Sequence, residues 1–520
     1  MTKKSLTFLL ALSLFGASHA ARAATPEAAS FLSQAQQFYG SGQYFRAARY
    51  AFAASEADTS TSAEAYAWIT LGLVKAGLPN AASYFFVRTL QTGQKPAIQR
   101  VLTVTQDLLD HVGADILRKY LIRHTTYDDY NSVNRNAYLY SLGKDALLAG
   151  DAPRAVGYFN GIRPGTSLWP YVLELRGSAQ AISEKNDAAL ADFKSCQERA
   201  TAIYSTFEGD LARKNQLKRE SDDLRARCIA GEARTLYQME RFEDADRVYD
   251  RISKYSFVWP DILFEQAWNS FGRMEYNRTL GKLVSYKSPA LSFVFNSEID
   301  VLRAQSYLAL CLYSDSNDVI NEFNKKYTKP GEQVKNFVEK NQGNLEAFYQ
   351  AGKGSLRDSL YTENQFNHFL NRFVRGPYFQ NLVALEKEIA GESSAAKRLA
   401  AQQGGVSGRG AGFPGFLEQV LSWRYKTVHL LGGNFVKNSM VDYYNTLVSD
   451  YEKIAFIKLE MLKRAKDKLL YKNPVVEDRM RGNVKPSRRD DQYYWSFNGE
   501  FWNDELGDYV FGLESECSHG

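Results

Sequence analysis

The sequence predicts an all-α protein whose greater part is a right-handed superhelical solenoid of helix pairs, and three observations lead there. One pattern is written twice: Gly143, Ala155 and Phe159 recur as Gly177, Ala189 and Phe193, each 34 residues on, and Leu139 returns as Leu173. The stretch Ala149-Gly150-Asp151-Ala152-Pro153 breaks one helix and opens the next with Pro in its first turn. At 520 residues the chain exceeds what one hydrophobic core organises, and the internal period selects an array over several separate domains.

Small residues at the eighth and twentieth places of each 34-residue unit, with an aromatic at the twenty-fourth, form the tetratricopeptide signature. The small residues have a mechanical reason: two antiparallel helices cross there, and larger side chains would hold the backbones apart. Such a scaffold argues for binding, and nothing in it argues for chemistry. A composition of 44% hydrophobic and 24% charged residues is that of an ordered globular chain.

Taken in order, Met1 to Ala23 has the three parts of a secretory signal. Lys3 and Lys4 precede the apolar run Leu6 to Phe15, and small residues end in Ala21-Arg22-Ala23. Cleavage is expected after Ala23, with Ala20 the alternative. No Cys follows the apolar run, so a lipoprotein is not expected. No later stretch approaches about 20 uninterrupted apolar residues, so no transmembrane segment is expected either. The mature chain is expected to be periplasmic. Losing Lys3, Lys4 and Arg22 takes three charges from the net +5 and leaves +2, a balance that does not point to nucleic acid.

The first repeat runs from Phe31 to Ala54 with Gly42 at its turn, and the second carries Tyr66, Leu73 and Ala82 around Gly77-Leu78-Pro79-Asn80. A degenerate third, with Leu108, Gly113, Leu117 and Tyr120, precedes the two clear units. Gly177 and Ala233 then occupy equivalent places 56 residues apart, and the excess lies in the charged segment Glu198 to Arg227. As a simple extension of one helix, that excess would make a protruding arm of roughly 33 Å. The array resumes as Ile229, Ala233 and Ala245, matched by Leu263, Ala267 and Thr279, with Trp259-Pro260 repeating Trp169-Pro170. Leu302 to Phe323 is a weaker eighth unit, and Tyr327-Thr328-Lys329-Pro330-Gly331 is expected to close the array.

Beyond it, apolar residues at three and four spacing, among them Tyr443, Leu447, Tyr451, Ile454 and Ile457, predict a long helical hairpin interrupted by a mobile loop at Gly404 to Gly415. A basic stretch with Arg479, Arg481, Lys485, Arg488 and Arg489 then leads into an aromatic-rich, non-helical tail. There Tyr509, Phe511 and Leu513 alternate as in extended backbone. Eight aromatics in residues 490–513 predict that this tail packs on the helices and is not left in water. The expected organisation is a signal peptide at 1–23, the solenoid at 24–328, a long-helix domain at 329–475, and the basic linker with its tail at 476–520.

Four cysteines, Cys196, Cys228, Cys311 and Cys517, are too few and too scattered for a disulfide framework or a zinc site, though an oxidising compartment permits a pair. On one continuous helix Cys196 and Cys228 would stand about 48 Å apart, so their pairing requires that helix to fold back. His124 with Asp128 and Asp129 reads as a polar loop, because no second His sits at ligand spacing. Gly408, Gly410 and Gly412 follow no strand and precede no Lys-Ser/Thr, so they read as a linker and not as a phosphate loop. Asp504, Glu505 and Asp508 lack the spacing of a calcium loop. No catalytic residue, cofactor or metal is expected.

The fifth, ninth and twelfth places of the first helices face the concave groove of such a solenoid. In the unit of Leu263 they are Phe264, Trp268 and Phe271, and neighbouring units supply Tyr140 and Lys144, then Arg234 and Tyr237. Aromatics beside Arg and Lys anchor interfaces, so these seven are the candidate partner-binding residues. The competing reading is that the C-terminal half of the chain buries them.

Three stretches resemble one family. They are Trp259-Pro260 with Phe264-Glu265-Gln266-Ala267-Trp268 and Tyr276-Asn277-Arg278-Thr279-Leu280-Gly281; then Glu298, Ala304, Tyr307, Cys311 and Phe323; and the ending Trp495-Ser496-Phe497-Asn498-Gly499-Glu500-Phe501-Trp502-Asn503-Asp504-Glu505-Leu506-Gly507 closing at Cys517. They are similar to the secreted tetratricopeptide proteins of the gliding-motility envelope machinery of deltaproteobacteria. The resemblance implies a non-catalytic periplasmic or outer-membrane-associated assembly protein; the expected partners are envelope proteins, held as a peptide or helix in the groove, with the outer membrane or peptidoglycan as the expected place of association. The alternative is a peptidoglycan-acting enzyme on an α-superhelix, like the lytic transglycosylases. Those carry a Glu-Ser pair followed by Gly-Leu-Met-Gln, and here Glu220-Ser221, Glu392-Ser393 and Glu514-Ser515 have no such sequel.

Overall fold

A computed structural model describes residues 24–132, 134–166, 168–205, 211–358, 364–403, 408–471, 497 and 499–517. The expected signal peptide and basic linker lie outside the described residues. The described residues form helices and loops, with no strand among them. The first helices are α1 (Pro26–Gly40), α2 (Tyr44–Ala57), α3 (Ser62–Lys75), α4 (Pro79–Gln91), α5 (Lys95–Leu102), α6 (Thr105–Val112) and α7 (Ala114–His124). Then come α8 (Arg135–Leu148), α9 (Ala152–Asn160), α10 (Trp169–Ile182), α11 (Asn186–Arg199), α12 (Ala202–Ser205), α13 (Leu211–Gln238), α14 (Phe242–Tyr249), α15 (Trp259–Gly272) and α16 (Tyr276–Val284). The last are α17 (Glu298–Ala309), α18 (Tyr313–Lys340), α19 (Leu345–Arg357), α20 (Gln365–Val374), α21 (Pro377–Gln402) and α22 (Phe413–Tyr471).

Among the described residues, seven pairs of successive helices close through one and the same turn. In each, a residue with positive φ follows the first helix: Gly42, Gly77, Gly150, Glu184, Glu240, Met274 and Cys311. Its N–H donates three residues back and the next N–H donates five back, as in Gly150 to Leu147 with Asp151 to Ala146, and Met274 to Phe271 with Glu275 to Ser270. This is the left-handed helix stop that satisfies the last free carbonyls. Four of the seven positions are not glycine, at a cost of about 1–2 kcal/mol each, so packing of the paired helices must impose the turn there.

The helix crossings explain the period. A Cβ on Gly143 would sit 2.4 Å from the Phe159 ring, and one on Gly177 would sit 3.1 Å from that of Phe193. Ala155 and Ala189 have no exposed surface. Replacing either with Leu is expected to overpack its crossing and destabilise by about 1–3 kcal/mol. Thermal melting checks it, and unchanged melting of both variants would refute this account of the small positions.

Contacts divide the chain into two compact units. The first holds the described residues up to His111 with Glu392–Val420. Within it α1, α2, α3 and α4 pack in succession, and the fully buried Phe413 meets Phe45, Phe52 and Phe85 with ring centroids 5.7, 5.2 and 6.5 Å away. The described part of the glycine-rich loop is held on α2, where Arg49 Nε donates to the Gly410 carbonyl at 3.0 Å and the Gly410 N–H donates to Glu56 at 2.6 Å.

The second unit holds Val112–Gly391 with Leu421 onward. It bears on four expectations. The turn at Tyr327–Gly331 does not form: α18 runs through it with Pro330 inside, because Tyr327, Pro330 and Val334 all face the core and the Tyr327 hydroxyl donates to Asn296 O and Asp300. The 328/329 boundary therefore falls within a helix, and α19 and α20 stand beside the two long helices expected there. The arm at Glu198 to Arg227 is no simple extension. α11 stops at Arg199, and α13 returns along it with Leu224 and Ser221 buried. Cys196 and Cys228 are consequently disulfide-bonded with Cα atoms 6.2 Å apart, and Cys311 pairs with Cys517, so all four cysteines are used. Residues 509–517 have no assigned strand, and the alternation there reflects docking onto α15–α17.

Candidate functional site

α15 presents Phe264, Trp268 and Phe271 on one side, each partly buried against Ala267, Leu283, Ile299 and Leu302. Trp268 meets Phe271 edge-on at 5.6 Å, and Phe271 meets Tyr276 at 5.3 Å. The aromatic stripe therefore contributes to its own core while keeping some open surface. On α13, Arg234 is 58% exposed and grips Glu265 of α15 with both arms of its guanidinium, at 2.6 and 2.9 Å. Tyr249 donates to the same carboxylate at 3.0 Å. Tyr237 is 37% exposed, with its ring 5.4 Å from Phe242.

The other two candidates part from these. Tyr140 is a core residue, 9% exposed beside Phe159, and Lys144 is partly buried on α8. Tyr140 thus packs in the core of its own helix pair. The register missed Arg372 of α20, which acts electrostatically on Asp261 of α15, donates to Phe295 O at 3.3 Å and lies 4.4 Å over the Tyr443 ring. Arg234, Asp261, Glu265 and Arg372 form the charged lining of the α13/α15 face. Arg372 comes from outside the period, so no repeat spacing could have found it.

A second polar cluster is buried between α19, α21 and α22. Glu386 accepts from Lys353 at 2.6 Å, Tyr349 at 2.8 Å and Tyr425 at 2.7 Å. Burial raises its pKa, but those donors and the Lys353 charge outweigh burial and hold the carboxyl at about 2. The same hydrogen bond pushes the Tyr425 hydroxyl up to about 12. His429 stacks on Tyr349 at 4.1 Å, and its Nδ1 lies 2.9 Å from Glu346. α22 approaches α19 closely enough for this because Gly432 and Gly433 carry no side chain; a Cβ on Gly433 would lie 2.0 Å from the Leu345 carbonyl oxygen. Every partner around Glu386 comes from the same three helices, which makes the cluster a clamp between them.

Each Glu-Ser pair has a member tied into the fold. Glu392 accepts from the N–H groups of Asn80 and Ala81 at 2.8 and 3.1 Å and so caps α4; Ser221 donates to Ala200 O, and Ser515 to Leu310 O. Asp129 closes a capping box with Thr126, and Asp508 pairs with Lys254 at 2.9 Å. Among the described residues no group of three or more His, Cys, Asp or Glu could hold a metal ion. No described helix is long and apolar enough to cross a membrane.

What these features define is a class, an all-α chain of repeated helix hairpins with a charged and aromatic face. No protein-family model matches the chain, and no curated protein matches it.

Proposed function

We propose that the protein is a non-catalytic periplasmic scaffold of the tetratricopeptide type, a right-handed superhelix that holds envelope proteins through the α13/α15 face. The observation that carries this reading is the Arg234–Glu265 pair, which is charged, partly open to solvent and joins α13 to α15, the helix that also carries Trp268. Arg and Trp are the residues that anchor protein interfaces, and a pair already held in place loses little freedom on binding. Where hairpins follow one another directly, their left-handed turns recur every 34 to 37 residues, which supports the repeat. On the resemblance of the Trp259–Gly281 stretch and the Gly499–Gly507 ending, the assembly it serves is of the gliding-motility type.

The test is capture of envelope proteins by the wild type and by Trp268→Ala and Arg234→Ala. Each variant is expected to lose about tenfold or more in affinity; helicity and melting temperature stay nearly unchanged in Arg234→Ala, and Trp268→Ala, which also leaves its core cluster, melts somewhat lower but stays folded. Unfolding of both would make these side chains core and sink the groove. The enzymatic alternative is tested in the same preparation by a zymogram on purified cell wall, where clearing would overturn the scaffold.

A further inference from the structure

The last part of α22 is apolar on two sides. One side, Leu447, Ile454, Ile457 and Met461, is buried in the core of the second unit. The other side stands in solvent, with Phe456 73%, Leu459 66% and Leu462 52% exposed. At 100° per residue Val448, Ala455, Leu459 and Leu462 fall within about 60° of arc, with Phe456 beside them, so this is one stripe and not scattered exposure. Between Glu452 and Lys466 the helix carries Lys453, Lys458, Lys463, Arg464 and Lys466 against only Glu452 and Glu460. Lys453 is spent on Asp450 and Glu298, and Arg464 on Glu460. Lys458, Lys463 and Lys466 flank the stripe without a salt bridge among the described residues.

We infer that this stripe is a docking surface for an anionic lipid bilayer, with Phe456, Leu459 and Leu462 entering the headgroup boundary and Lys458, Lys463 and Lys466 on the phosphates. Lysine is depleted at protein interfaces and suits an anionic lipid surface, where its long stem lies along apolar matter while its ammonium stays in water. A second copy on the same stripe would face these lysines with its own. The stripe shares no residue with the α13/α15 face, so either surface can fail without the other.

The experiment is sedimentation of the full mature chain with vesicles of phosphatidylcholine alone and of phosphatidylcholine mixed with phosphatidylglycerol, at low and high salt. Binding is expected to the mixed vesicles, weakened by salt, and absent from the neutral ones. Reversing Lys458, Lys463 and Lys466 to Glu is expected to cost on the order of a hundredfold in partitioning, and Leu459→Asp about tenfold or more. All four positions are exposed; should Leu459→Asp lower helicity, the charge-reversed variant alone decides. Equal binding to both vesicle types, no binding to either, or undiminished binding by the charge-reversed chain would overturn the inference. So would a dimer that Leu459→Asp dissociates while vesicles are ignored.

Discussion

Deleting residues 490–520 is expected to lower the melting temperature sharply and open the second unit to protease. Its described part is built into the helices: the Phe511 N–H donates to Asn277 O, the Asn277 side chain both accepts from Leu513 N and donates to Leu513 O, and Gly507 N–H donates to Ser285 Oγ, all at 2.9–3.0 Å. Leu506 and Tyr509 are buried with Trp259, Ile262 and Leu263. The fit depends on a missing side chain, since a Cβ on Gly281 would lie 1.8 Å from the Tyr509 carbonyl oxygen. The Cys311–Cys517 bond spans 206 residues, and the loop-entropy model gives such a closure about 5 kcal/mol, to which the lost burial of Leu506 and Tyr509 adds. Cys517→Ser alone is expected to lose only the first part. A melting curve unaltered by the deletion would mean that the tail is carried for a partner and contributes nothing to its own fold.

How much of this was legible follows from what each element asks of the sequence. Helices and the 34-residue period were, because Gly143 and Phe159, or Gly177 and Phe193, must meet as small against aromatic wherever two helices cross. The turns at Gly42, Gly77 and Gly150 were, because glycine takes positive φ without strain. Those at Glu184, Glu240, Met274 and Cys311 carry no local signal, since the packing of both helices forces the same backbone on residues that disfavour it. Pro330 misled for the opposite reason. It is a helix breaker kept inside α18 by the burial of Tyr327 and Val334 on either side. The return of α13 hid behind its charges, with the apolar Leu224 and Ala226 buried among them. That Arg234 and Trp268 lie on the first helices of their units could be read from register alone. Arg372 and the Glu386 clamp could not, because they join helices brought together by packing and not by period.

The clamp supplies the other large effect. Glu386→Gln removes the charge that Lys353 faces at 2.6 Å, in a site where the two side chains are 9% and 17% exposed. Breaking a buried pair by removing one partner leaves the other uncompensated, and a loss of about 3 kcal/mol is expected in urea unfolding at neutral pH. The pH dependence gives the effect its signature. The folded carboxyl, at about 2, lies below its ordinary 4.5, so its contribution is fully present above about pH 4.5 and is lost as pH falls toward 2. Burial opposes it, but Glu346 is also held low by Gln350 and His429, and Asp300 by Lys326 and Arg303; Glu322, Asp244 and Glu460 are lowered by their own cations, so the wild type alone would report all of these together. The difference between wild type and Glu386→Gln isolates one carboxylate. That difference should shrink steadily as the pH is lowered through the window. A gap that stays constant down to the lower end would mean that shape and hydrogen bonds, and not the charge of Glu386, hold α19, α21 and α22 together.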